Sequence, residues 1–145
     1  MKRTNIFLAL IGCALPFCAS AGEAAGTLQP TASPKGAKVY IIEPPNGATV
    51  TSPVSIKFGL AGMGVAPAGI DKENTGHHHL LVDGKQLPNL KAPLGQDVTH
   101  FGGGQTETSV ELTPGKHTLQ LILGDKFHIP HNPPVVSEKV TITVK

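Results

Sequence analysis

The chain has 145 residues, with twelve lysines and arginines against ten acidic residues and a formal net charge of +2. Aromatic residues make up only 4%, and no basic stretch with interleaved aromatic residues occurs, which argues against a nucleic acid as partner. Seven histidines outnumber the five phenylalanines. The histidines therefore either fill structural places or meet at a site.

The first residues predict a secretory signal peptide over residues 1–21. Lys2 and Arg3 form a positive start, an apolar run follows, and Ala19-Ser20-Ala21 supplies the small residues that precede cleavage. The apolar run is too short to cross a membrane, and no second one follows. We therefore expect a periplasmic or secreted protein without a membrane span. In the alternative interpretation a lipoprotein-like box ends at Cys13, which would carry the lipid.

Cleavage after Ala21 would remove both cysteines, Cys13 and Cys18, so the remaining chain would fold without a disulfide. It would also remove two of the twelve basic residues, leaving ten against ten acidic ones and a formal net charge of zero. Residues 22–36 are rich in Ala, Gly, Thr, Ser and Pro and predict a disordered leader. Residues 37–145 are the size of one small domain.

Short strands separated by turn signals fill this domain. In chain order, the predicted strands cover residues 38–43, 54–60, 77–82, 107–112, 117–125 and 135–145. In the second of them, apolar residues alternate with polar ones, as in a half-buried strand. A stretch rich in Gly and Pro at 61–69 cannot form a helix, and no window has apolar residues at helical spacing. About seven strands predict an all-β fold, an antiparallel immunoglobulin-like sandwich, with a small closed barrel as the alternative.

Three consecutive histidines open the strand at 77–82. Successive side chains in a strand point to opposite faces, so His77 and His79 share one face and His78 lies on the other. Two histidines that project the same way can bind one ion together. We therefore predict that His77 and His79 belong to a metal site and that His78 is structural.

Other residues extend this candidate site. His100 precedes a glycine-rich loop, while prolines stiffen the loop that carries His128 and His131. The candidate metal ligands are His77, His79, His100, His117, His128, His131 and Met63. Neutral imidazole suits copper and zinc, and a thioether suits Cu(I). Each candidate also has a structural interpretation, namely a hydrogen-bonded histidine or, for Met63, a core filler. Asp125 either orients a histidine or ends a strand.

Four segments of the sequence resemble the bacterial secreted family called domain of unknown function 4399. They are GHHHLLVDG, HFGGGQTE, LTPGKHTLQLILGD and HIPHNPPVVSEKVTITV, and the resemblance runs from about Val54 to the C-terminus. A looser resemblance is to extracellular immunoglobulin-like modules with an H-x-H strand, an L-x-P-G-x-H-T-L segment and a D-x-x-H segment. The matching positions are His77, His79, Asp83, Gly84, His117, Asp125 and His128. The second resemblance implies the sandwich fold, and neither implies an activity.

These observations favour a periplasmic histidine-rich protein that binds copper or zinc for buffering or delivery, with another envelope protein as a possible partner. One alternative is a structural or interaction module whose histidines only form hydrogen bonds. The other is an enzyme in which a metal with an open position activates water or handles an oxygen species. Glu73 and Glu107 are possible bases for it, but the sequence pairs neither with a metal ligand and contains no Ser or Cys nucleophile motif.

Overall fold

The computed structural model describes residues 28–145. The predicted signal peptide, the possible lipidation site at Cys13 and the first part of the predicted leader lie outside the described residues. The nine strands are β1 (Lys38–Glu43), β2 (Thr49–Val50), β3 (Val54–Ala61), β4 (Gly64–Val65), β5 (Thr75–Val82), β6 (Thr99–His100), β7 (Glu107–Val110), β8 (Gly115–Gly124) and β9 (Val140–Val144). The described part of the chain has no helix, and this confirms the all-β prediction.

The strands form two sheets that pack face to face. The smaller sheet has the order β1-β3-β7, and the larger has the order β2-β9-β8-β5-β4, with β6 also paired to β5. Val54, Ile56 and Phe58 of β3 lie on the inner face of the small sheet and are at most 4% exposed. Leucines at alternate positions of β8 line the facing side of the large sheet. The architecture is therefore a β-sandwich with its hydrophobic core between the sheets.

Three details differ from the sequence prediction. Three of the strands, β2, β4 and β6, have only two residues, too few for an alternating pattern to reveal. Two of these short strands pair in parallel, β2 with β9 and β4 with β5, so the large sheet is mixed rather than purely antiparallel. The final strand begins at Val140 instead of residue 135, since only an isolated bridge at Val136 joins the preceding residues to β8. The immunoglobulin-like character of the sandwich stays a prediction.

The outer face of the large sheet is also buried around β5 and β8. Leu81 and Ile122 point away from the inter-sheet core, yet they are 5% and 0% exposed. The loops that follow β5 and β8 meet here, since the N–H of Leu94 donates to the carbonyl of His128 over 2.9 Å, and Ile129 from the second loop is 1% exposed. The described end of the predicted leader also lies against the second loop, since Ala32 forms a parallel bridge with Asn132. The sandwich therefore has a second buried region outside its main core.

No helix in the described part of the chain is long and apolar enough to cross a membrane.

Candidate metal centre

The three consecutive histidines of β5 point in alternate directions, as the strand geometry requires. His78 faces the inter-sheet core, where its ring lies 5.1 Å from that of Phe58. Its Nδ1 lies 3.3 Å from the carbonyl oxygen of Gln105. His77 and His79 point to the outer, covered face, and their ring centroids are 4.6 Å apart. His78 thus lies in the inter-sheet core, whereas His77 and His79 lie on the covered outer face of the large sheet.

His100 joins this pair through strand pairing. It lies directly opposite His79 in the antiparallel β5–β6 pair, and residues that face each other across such a pair project from the same side of the sheet. The ring centroids of His79 and His100 are 5.2 Å apart. The two-residue strand β6 therefore brings to β5 a histidine that is distant in sequence.

His128 completes the cluster from the loop after β8. Nδ1 of His128 lies 3.1 Å from Nε2 of His77, and its ring centroid is 4.6 Å from that of His100. In total, four histidines each offer one ring nitrogen within 4.8 Å of the others; they are His77, His79, His100 and His128. These four could hold one metal ion, and no carboxylate belongs to the group.

Asp125 shapes the loop that presents His128. One carboxylate oxygen accepts hydrogen bonds from the backbone N–H groups of Phe127 (2.9 Å) and Ile129 (3.0 Å). The N–H of His128 donates to the backbone carbonyl of Asp125 over 2.9 Å. This tight turn places His128 at φ 65°, in the left-handed region that few non-glycine residues adopt. Asp125 thus fixes the backbone that carries a histidine instead of accepting from an imidazole ring.

Gly124, the last residue of β8, provides the space for His79. A Cβ atom at this position would lie 2.6 Å from Cε1 of His79 and 3.1 Å from its Nδ1, closer than side-chain carbons approach one another. Gly124 pairs with His77 across the β5–β8 ladder. The absence of a side chain therefore lets the ring of His79 lie over the backbone of β8.

Three of the four ring nitrogens of His77 and His79 lack hydrogen-bond partners. Neither nitrogen of His79 forms a hydrogen bond, nor does Nδ1 of His77, although both residues are 1% exposed. A buried polar group without a partner costs about 1–3 kcal/mol. Among the described residues, Nε2 of His78 and Nε2 of His131 are also buried and unpaired. The cluster differs in placing several such nitrogens together, where one metal ion could serve as their shared partner.

The same burial keeps these histidines uncharged. Burial, followed by repulsion from His77 and His100, lowers the pKa of His79 to about 3. Burial, followed by repulsion from His128 and His100, lowers the pKa of His77 to about 4, although the carboxylate of Asp125 acts in the opposite direction. Protons therefore compete little for these nitrogens at neutral pH, where a metal ion requires the neutral imidazole.

The spacing of the nitrogens suits a first-row metal ion. Zinc–nitrogen bonds are about 2.0–2.1 Å long, so four nitrogens around one ion lie about 3.3 Å from one another. The nitrogens of His77 and His128 are already 3.1 Å apart, and the four are within 4.8 Å. A contraction of about 1.5 Å would bring the most distant nitrogens to the spacing around zinc or copper.

The structure does not bring the other three sequence candidates into this cluster. His117 lies beside Asp83, with its Nδ1 2.7 Å from a carboxylate oxygen. His131 is buried, and its Nδ1 lies 2.8 Å from the hydroxyl oxygen of Thr31. Met63 packs, partly buried, against the main hydrophobic core. Each of these residues thus makes the kind of structural contact that was its alternative interpretation.

Two contributors to the site were not singled out as such from the sequence. The role of Gly124 depends on the β5–β8 register, which a single sequence does not provide. Thr31, in the predicted leader, donates its backbone N–H to the second carboxylate oxygen of Asp125 over 3.2 Å. The role of Asp125 itself could have been predicted from the sequence. An Asp side chain often accepts a hydrogen bond from the backbone N–H two residues later and so forms a turn.

Comparison with known proteins places the site within one family. The family model described as Domain of unknown function (DUF4399) matches residues 56–145. The match includes all four clustered histidines, Gly124 and Asp125. No curated protein and no solved structure matches the chain.

Proposed function

This chain belongs to the DUF4399 family, and we propose that it is a metal-binding protein that holds one divalent copper or zinc ion in its histidine cluster. The proposed ligands are His77, His79, His100 and His128. We further propose that the protein works in the periplasm, as its N-terminal sequence predicts, and that it buffers or delivers the metal. The observation that carries this proposal is His79, which is buried with both ring nitrogens unpaired beside three other imidazoles.

The donor set favours divalent ions. Four imidazoles suit Zn(II) and Cu(II), whereas Cu(I) prefers sulfur ligands. Met63, the thioether that the sequence suggested for Cu(I), packs against the hydrophobic core. The metal centre is therefore expected to be composed of nitrogen ligands alone.

The alternative functions account for the site less well. In a structural module each histidine ring would bond to a nearby backbone or carboxylate group, as His117 does with Asp83 and Thr113. His79 has no such bond. A metal that activates water or handles an oxygen species needs an open coordination position. Four histidines are enough to fill a tetrahedral site, and the cluster contains no carboxylate base. Binding without turnover is thus the function that the geometry supports best.

Metal affinity tests the proposal directly. The untagged protein, freed of metal, should bind one equivalent of Cu(II) or Zn(II) in competition with a chelator of known affinity. His128→Asn should weaken binding by about 100-fold or more, since loss of a mere supporting partner already costs 10–100-fold. Asparagine suits this variant because it tolerates the positive φ of position 128.

His117→Gln is the matched control, because it removes a histidine that lies outside the cluster. It should leave the metal affinity unchanged. Binding no tighter than that of a free histidine peptide, or equal affinities for the His128→Asn variant and the unaltered protein, would contradict the proposal. Circular dichroism of each variant checks that the fold is retained.

A further inference from the structure

The four histidines of the cluster differ in their access to solvent. His77 and His79 are each 1% exposed, and His128 is half-buried. His100 is exposed. A molecule that approaches from solvent therefore reaches the cluster at His100 first.

The four also differ in how their backbones are held. His77 and His79 lie in the eight-residue strand β5, which pairs with β8 over six successive residue pairs. The turn bonded to Asp125 holds His128. His100 ends the two-residue strand β6, which pairs with β5 at two positions. The most exposed of the four histidines thus also lies in a strand with only two pairings.

The ring of His100 lies directly over a glycine. Three glycines follow His100 after Phe101, and the ring lies against the first of them, Gly102, where an added Cβ atom would collide with it. The N–H of Phe101 donates to the carbonyl of His78 over 3.1 Å, and Phe101 is 6% exposed. Phe101 therefore anchors the backbone, while the exposed ring of His100 lies over a residue without a side chain.

We propose that His100 is the exchangeable ligand of this centre, the one whose place on the metal is taken by an imidazole nitrogen from another molecule. The inference rests on the proposed metal-binding function. In the exchange, the bond between the metal and His100 breaks, a lone pair on the incoming nitrogen forms the new bond, and both imidazoles stay neutral. His77, His79 and His128 retain the ion throughout. An incoming imidazole leaves the all-nitrogen ligand set of the ion unchanged, so the partner class is a molecule that presents a histidine side chain at its surface.

Chemical replacement of the side chain tests this assignment, with free imidazole as the probe. The His100→Ala variant should still bind one equivalent of Cu(II), with affinity reduced about 100-fold, the lower end of the loss expected for a ligand. Millimolar imidazole should then restore the electron paramagnetic resonance spectrum of the unaltered protein, with saturation at one imidazole per copper. His79→Ala is the matched control: imidazole should leave its spectrum unchanged, because position 79 is buried.

The rate of metal removal gives a second measurement. A large excess of chelator should strip copper from His100→Ala at least about tenfold faster than from the unaltered protein, since the open position admits the chelator directly. Because His100 is exposed, the His100→Ala variant should fold even if His79→Ala does not. Its imidazole titration and its rate of copper loss then test the proposal without the control variant.

The outcomes separate the two proposals. If the unaltered protein binds copper but imidazole leaves the His100→Ala spectrum unchanged, the assignment of His100 as the exchangeable ligand is wrong. The proposed metal centre then still stands. Equal restoration of folded His79→Ala would also overturn the assignment, because it would show that position 100 has no special access. Failure of the unaltered protein to bind one equivalent would overturn both.

Discussion

His117 and Asp83 form a polar contact just beyond the end of β5. Nδ1 of His117 lies 2.7 Å from one carboxylate oxygen of Asp83, and Nε2 lies 2.8 Å from the carbonyl oxygen of Thr113. Both neighbours only accept hydrogen bonds, so the ring satisfies both when both nitrogens carry hydrogen. These contacts raise the pKa of His117, with the hydrogen bond to Asp83 as the largest cause. Although burial opposes it, the N–H of Thr118 and the ring of His117 lower the pKa of Asp83.

The pair should make stability depend on pH. A histidine with a raised folded-state pKa stabilises the fold fully below its unfolded pKa of 6.5, and this contribution is lost as pH rises through the higher folded value. Asp83, with its lowered pKa, stabilises the fold at pH values above its unfolded pKa of 3.8. This contribution is lost only as the pH falls through the still lower folded value. We therefore expect Asp83→Asn to lower the free energy of unfolding more at pH 5.5 than at pH 8.5, by under about 1 kcal/mol because the side chain of Asp83 is 49% exposed.

Urea unfolding at the two pH values measures this difference. Asparagine keeps the acceptor for the Thr118 N–H and tolerates the positive φ of position 83. In a His117→Gln background, Asp83→Asn should have the same effect at both pH values. A pH-dependent difference that persists without His117 would show that another group is responsible.

At the scale of the loop after β8, one carboxylate holds the segment that carries His128. Asp125→Ala leaves the N–H groups of Phe127 and Ile129 without acceptors, at about 1–3 kcal/mol each where they are buried. We expect this variant to unfold at lower urea concentration and to bind metal more weakly, because His128 is displaced. Asp125→Asn can keep the shared acceptor oxygen and lose only the contact with Thr31. It should therefore retain most of the metal affinity, and equal affinities for Asp125→Ala and the unaltered protein would contradict this role.

The elements differ in how well the sequence predicts them. The pattern at 38–43 matches β1 because Pro44 and Pro45 end the strand where the chain must turn. Strand β6 has no such pattern, yet it brings His100 to the cluster. Its formation depends on pairing with β5, which is a tertiary effect. The division of His77 and His79 from His78 was predictable, because it follows from alternation within one strand.

At the scale of the whole molecule, the location of the cluster depends on which face of the large sheet the loops cover. Alternation shows that His79 and Leu81 share a face, but it does not show that a loop buries that face. For the same reason the sequence cannot distinguish the surroundings of His128 from those of His131, which look equivalent in the sequence. The turn at Asp125 directs His128 to β5, whereas His131 bonds to Thr31, a residue of the predicted leader.

The burial of the histidine run has a practical consequence for handling the protein. Three consecutive histidines resemble a short affinity tag, but in the folded chain they are at most 1% exposed. Immobilised nickel can reach this run only after unfolding, so the chain should elute at a higher imidazole concentration in urea than in native buffer. Equal elution in both buffers would mean that the run is accessible in the folded chain. Column retention thus measures how much of the untagged protein has lost its fold.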